Sequence, residues 1–136
     1  MNLVEKLLKL DSGEFSKKRT KKFHSNRLSE MLGEKAYITL QEIDPQEFMD
    51  LSASGLDEDG EAIYEKTIET NSRLAAAGII DPPLNDTGLM KHLGVATPAM
   101  AAEKLFKGEV SAIALEVRKM AGYGNIEESD EEIKNS

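Results

Sequence analysis

The sequence predicts an α+β fold, mostly α, with several short helices packed around a small antiparallel β element near residues 20–43. Three observations carry that prediction. Apolar residues recur at helical spacing in "NLVEKLLKL" (2–10), across 61–77 and in "EVSAIALEVRKMA" (109–121). Helix openers (Asp44-Pro45, Thr97-Pro98) and helix-stopping glycines (Gly78, Gly94, Gly108, Gly122) alternate through the second half. A single β-branched stretch, "AYITLQEI" (36–43), stands apart from this helical background.

In chain order, Leu3, Leu7 and Leu10 share a helical face with Val4 and Leu8 beside them, ended by Asp11-Ser12-Gly13. So short an amphipathic helix is unstable alone and is expected to dock on something. The basic run "SKKRTKKFHSNRL" (16–28) lacks helical periodicity and reads as an extended arm or a poor strand. "AYITLQEI" sets Tyr37, Thr39 and Gln41 against Ile38, Leu40 and Glu42, an imperfect strand alternation. A strand needs a partner for its backbone groups, and the Lys21–Leu28 region is the nearest.

Asp44 as N-cap and Pro45 at the first helical position open a short helix through "QEFMDLSA". Residues 52–61, "SASGLDEDGE", read as an acidic linker. A long helix is expected over Glu61–Ala77, with Ile63, Thr67, Thr70, Asn71 and Leu74 on one face and Tyr64, Ile68 and Ala75 on another. Asp86 or Thr87 caps "GLMKHL", closed by Gly94; Thr97-Pro98 opens "PAMAAEKLF", stopped at Gly108; Val110, Ile113 and Val117 form the stripe of a last helix. Residues 1–124 therefore read as one domain, with a docking helix at 1–13, and 125–136 as an acidic tail with at most a helical turn around Ile133.

Composition limits the chemistry. With four Phe, three Tyr and no Trp, the core must be aliphatic, and stacking modes of recognition have little material. The absence of cysteine removes disulfides, thiol catalysis and Cys-based metal sites, and suits an intracellular protein. Lys6 and Lys9 interrupt the first apolar run, no small-residue cleavage site follows, and nothing approaches 18 consecutive apolar residues. Neither a secretory signal nor a membrane span is expected.

Possible sites read mostly as structure. "LDEDGE" (56–61) fails as a calcium loop: with Gly60 at the sixth position the twelfth is Lys66, and with Asp57 first the sixth is Ala62. His24 and His92 have no partner at metal spacing, and "GYGN" (122–125) follows no strand. No serine stands in a nucleophile elbow. No catalytic residue, cofactor or metal is expected.

Charge is divided unevenly. Residues 1–35 hold nine Lys/Arg and five Asp/Glu (+4), and residues 36–136 hold eight and twenty (−12), within a total of −8. Lys17, Lys18, Arg19, Lys21, Lys22 and Arg27 form the one basic cluster. Phe23 is its sole aromatic and no binding motif accompanies it, so it reads as an arm lying against the acidic remainder rather than as a nucleic-acid site.

The remaining candidates are apolar helix faces: Leu89, Met90 and Leu93; Met100, Leu105 and Phe106; and the Val110 stripe. Most of these belong to a core, although pliable methionines such as Met90, Met100 and Met120 also serve adaptable surfaces. Leu89, Met90, Leu93, Met100, Leu105 and Phe106 are the candidate partner-binding residues.

An ordered series of motifs adds to this. The "LLKL" helix is followed by "NRLSEMLGE", "AYITLQEI", "IDPQEF", "DPPL…LMKHLGVATP", "AAEKLFKGEVSAIALEV" and "MAGYG…EEIKN". Together they resemble the XkdN-like phage tail assembly chaperones of tailed phages and PBSX-type prophages of Gram-positive bacteria, most densely over residues 81–134. The resemblance implies a non-enzymatic chaperone in the cytoplasm of the bacterial host that binds the tape measure protein, helps recruit tail tube protein and is absent from the mature virion. It brings no catalytic residues. Self-association is a further expectation, since exposed apolar faces often drive it. Two rival readings are a structural component retained in the virion and a small DNA-associated phage regulator using residues 17–27.

Overall fold

The computed structural model describes residues 1–122. The acidic stretch 125–136, with the turn expected around Ile133, lies outside the described residues. Among the described residues the chain forms seven α-helices and one three-stranded sheet, so it is mostly α with a β element.

The first helix, α1 (Leu3–Leu8), is closed by a capping box in which the Asn2 side chain accepts from the Glu5 N–H at 2.9 Å and Glu5 accepts from the Asn2 N–H at 3.3 Å. A 3-10 turn at Ser12–Ser16 leads into β1 (Thr20–His24). Residues 1–22 are exposed throughout, so nothing in the described chain covers the leucines of α1.

β1 pairs antiparallel with β2 (Tyr37–Gln41), with Phe23 opposite Ile38 and Lys21 opposite Leu40. The expected strand partner is thus shorter than Lys21–Leu28, because residues 26–32 fold as a helix, α2 (Asn26–Leu32). Ser25 starts it by accepting from the Leu28 N–H, and Gly33 stops it at φ 71°. A third strand, β3 (Ile79–Asp81), pairs antiparallel with the other edge of β2 and was not expected. Its backbone finds partners only because the chain returns past β2.

The alternation in β2 works as read: Ile38 and Leu40 point into the core while Tyr37, Thr39 and Gln41 face outward. Glu42, the residue that spoiled the pattern, lies just past the strand and ties down β1. Its carboxylate accepts from the backbone N–H and the Nε of Arg19 at 3.0 and 3.1 Å.

α3 (Pro45–Ala53) begins after Asp44, whose side chain makes no capping bond and instead faces Lys18 at 3.4 Å. The expected 61–77 helix starts later, as α4 (Thr67–Gly78) behind a 3-10 turn at Tyr64–Lys66. The cause lies in the acidic linker. Asp57 Oδ1 accepts from the N–H groups of Asp59 and Glu61, Leu56 bridges Ala62, and the Ile63 N–H donates to the Gly55 carbonyl, so residues 55–63 are held as a hairpin-like loop.

Then come α5 (Thr87–Leu93), capped by Asp86 and stopped at Gly94; α6 (Pro98–Phe106), capped by Thr97; and α7 (Glu109–Met120). α6 ends at Lys107, which takes a positive φ of 50°, one residue before the expected glycine. α4 is the central helix and packs mainly against α7 and α6. The principal core joins Ile38 and Leu40 to Ala75, Ile79, Leu84, Ala101, Ala102, Phe106, Val110 and Ile113. A smaller cluster joins Ile43 and Phe48 to Leu74, Ala114 and Val117. Both are aliphatic but for one Phe each, as the composition requires.

Candidate interaction surfaces

The six apolar residues singled out from sequence divide by depth. Phe106 is fully buried in the principal core and offers no surface for a partner. Leu89, Leu93 and Leu105 are half-buried and pack on that same core. Met90 is half-buried, and Met100, on the outward side of α6, is 45% exposed. The α5–α6 pair thus carries one half-buried and one exposed methionine. Beside it, Ala76, Ile79, Ile80, Pro83, Leu84, Asn85 and Pro98 line a depression of about 370 Å³. Pro83 and Leu84 of the "DPPL" segment help to build this depression.

The basic segment is occupied. Lys17 pairs with Glu14, Lys18 with Asp44, Arg19 with Glu42 and Lys21 with Glu116. Arg19 also donates to the Met120 carbonyl, Lys22 to Thr39 Oγ1, and Arg27 to the Leu105 carbonyl at the end of α6. Arg19 holds the Glu42 carboxyl below the usual carboxylate range, chiefly through the backbone N–H bond and then the guanidinium bond. Lys18, Arg19 and Lys21 pair with acids of the body as the sequence implied, whereas Lys17 pairs within its own segment, and a row of four in ion pairs is a poor phosphate-binding surface.

A third surface was not anticipated. Of the residues that periodicity sets on one helical face, Tyr64 lies in the 3-10 turn, Ala75 of α4 is buried and Ile68 of α4 is 73% exposed. Ile68, Asn71 and Ser72 of α4 line a cavity of about 450 Å³ together with Glu103, Lys107, Gly108, Val110 and Ser111. Asn71 also lines a second cavity of about 240 Å³, with Thr67, Thr70 and Arg118. Asn71 Oδ1 accepts from Arg118 Nη2 at 2.8 Å, and burial lowers the Arg118 pKa from its ordinary value. Ser111, Leu115 and Arg118 fall on one side of α7, and Leu115 is exposed. The sequence signal was available: Ile68 and Leu115 are large apolar residues off the core stripes of their helices.

Among the described residues no cluster of three or more His, Cys, Asp or Glu side chains is placed to hold a metal ion. The His24 ring lies 5.0 Å from that of Tyr37, tilted by 48°, and shares a hydrogen bond with Ser29, and His92 lies in the last turn of α5. No described helix is long and apolar enough to cross a membrane.

With this geometry in view, the family model that matches is the phage XkdN-like tail assembly chaperone protein, over residues 4–134. The chain belongs to the XkdN-like phage tail assembly chaperones. The match spans nearly the whole sequence and takes in α1 from its second residue, both core clusters and the 81–134 stretch on which the resemblance is densest. Searches of curated proteins and of solved structures found no match. Three surface features stand out among the described residues: the α5–α6 pair, the exposed leucines of α1 and the α4–α7 cavities.

Proposed function

We propose that this chain is a non-enzymatic holder of the tape measure protein, acting in the cytoplasm of the bacterial host, assisting tail tube assembly and leaving before the virion is complete. The observation that carries the reading is the family match over residues 4–134. The α5–α6 pair supports it: half-buried Met90 and exposed Met100 are pliable apolar side chains of the kind that receive an amphipathic client helix. The net charge of −8 keeps a protein with such side chains in solution.

Co-expression with the tape measure protein of the same phage or prophage tests the proposal. The client is expected to become soluble and to co-purify, and Met100→Glu is expected to weaken that complex without unfolding the chaperone. An insoluble client and no complex would overturn it. Mass spectrometry of purified particles separates the retained structural component, which would be present, from a chaperone, which is expected to be missing.

A further inference from the structure

We propose that the cavity between α3, α4 and α7 is a binding site for a carboxylate group, with Arg118 as its anchor and Ser52, Thr70 and Asn71 as its polar wall. The cavity has a volume of about 240 Å³. Helical spacing sets Thr67, Thr70 and Asn71 on one face of α4, while Arg118 comes from the last turn of α7 and Ser52 from α3. Gly55 and Leu56, in the loop held over residues 55–63, form its apolar side. Polar groups carried on three packed helices keep their mutual geometry, which a site for a small ion requires.

Two side chains in the cavity are short of partners. Arg118 is half-buried, and burial strips its charge of water. Of the five N–H donors of a guanidinium, one meets a side-chain acceptor, Asn71 Oδ1 at 2.8 Å, and no Asp or Glu among the described residues pairs with it. Thr70 is only 8% exposed, and its hydroxyl has no hydrogen-bond partner among the described residues. No fully buried side-chain polar atom there lacks a partner, so the Thr70 oxygen is open to the cavity it lines. The loop closes against this hydroxyl because position 55 is glycine: a Cβ there would run into Thr70 Oγ1.

The chemistry of the walls selects the ligand. In a chain with 25 acids against 17 bases, no Asp or Glu lines this cavity, and Arg118 is the charged residue in its lining. Asp57, in the adjoining loop, turns its Oδ1 to the N–H groups of Asp59 and Glu61 instead. With Asn71 Oδ1 accepting from the guanidinium, Asn71 Nδ2 is left as a donor, and the hydroxyls of Ser52 and Thr70 donate as well. One cation among neutral donors suits an oxyanion, and the planar fork of arginine matches a planar carboxylate through two parallel N–H···O bonds. A free small carboxylate and an Asp or Glu side chain of a docking protein present the same group. The site shares no residue with the α5–α6 pair, so its failure and that of the proposed client binding are separable.

Titration of the full chain with sodium acetate, followed by NMR with sodium chloride holding the ionic strength constant, tests the proposal. Acetate is expected to shift the Arg118 Nε–H and the backbone amides of Thr70 and Asn71 saturably, and chloride alone is expected not to. Arg118→Gln is expected to weaken binding by about tenfold or more, as loss of a charge-assisted hydrogen bond does. Thr70→Val keeps the shape without the hydroxyl and is expected to weaken it by about threefold, the scale of a neutral hydrogen bond. Arg118→Lys keeps the charge without the fork and is expected to bind more weakly than wild type. Circular dichroism checks that each variant is folded. A blocked tripeptide with a central Glu separates the sources: tighter binding than acetate assigns the site to a protein side chain, and equal or weaker binding to a free carboxylate. The absence of any saturable shift overturns the proposal. So does wild-type affinity in Arg118→Lys, which would mean that charge alone attracts the anion, or wild-type affinity in Thr70→Val.

Discussion

Ser25 joins two helices through one hydroxyl. It is fully buried, accepts from the Leu28 N–H to start α2, and donates to Glu109 Oε1 at 2.7 Å at the start of α7. Glu109 Oε2 meanwhile accepts from the Asn26 N–H. Ser25→Ala removes a cap and strands part of a carboxylate, and a loss of about 1–2 kcal/mol is expected in urea unfolding. Gly78 matters for a different reason. A Cβ there would run into the Cγ2 of Val117, so α4 and α7 approach as closely as they do because position 78 has no side chain. Gly78→Ala is expected to cost about 1–3 kcal/mol through overpacking, and trimming the neighbour with Val117→Ala should recover part of that loss in the double variant.

Among the elements, the β1–β2 pair is tied by the Arg19–Glu42 contact, and its pH dependence has a definite sign. The folded carboxyl titrates below the ordinary range, so its contribution is fully present above the ordinary carboxylate pKa and is lost as pH falls through the lowered value. Glu42→Gln is expected to flatten the acid limb of a stability-versus-pH curve and to leave the neutral-to-alkaline slope as it was. α1 behaves in the opposite way: with no buried residue, it adds nothing to the fold of the single chain. Removing residues 1–10 is expected to leave the thermal midpoint of the protein unchanged. α2 shows why some elements escaped sequence reasoning. Its caps, Ser25 and Gly33, were in plain view, but the basic residues around them masked any apolar period. β3 had no local signal, because three residues after a helix become a strand only when β2 is beside them.

The whole molecule is organised around Phe106 and the helix that precedes it in space, α4. Phe106→Ala is expected to cost about 3–5 kcal/mol and to loosen the sheet as well as the helices, because Ile38 and Leu40 share its cluster. Lys18, Arg19 and Lys21 are exposed but paired with acids of the body, so a gel-shift assay with duplex DNA at low salt is expected to show no binding; a shift that vanishes steeply with salt would restore the regulator reading.

Periodicity, capping residues and turn formers were enough to mark α1, α3, α5, α6, α7 and β2, because those signals act within a few residues of chain. The ordered motifs from the N-terminal helix to "EEIKN" were likewise enough to mark the family. Depth was another matter. Phe106 and Met100 lie on the same short helix with the same apolar character, yet one is in the core and the other on the surface. That choice is made by where α4, α7 and the sheet meet, through contacts between residues far apart in sequence. Hydrophobicity states that a side chain seeks cover, and packing alone chooses which neighbour supplies it.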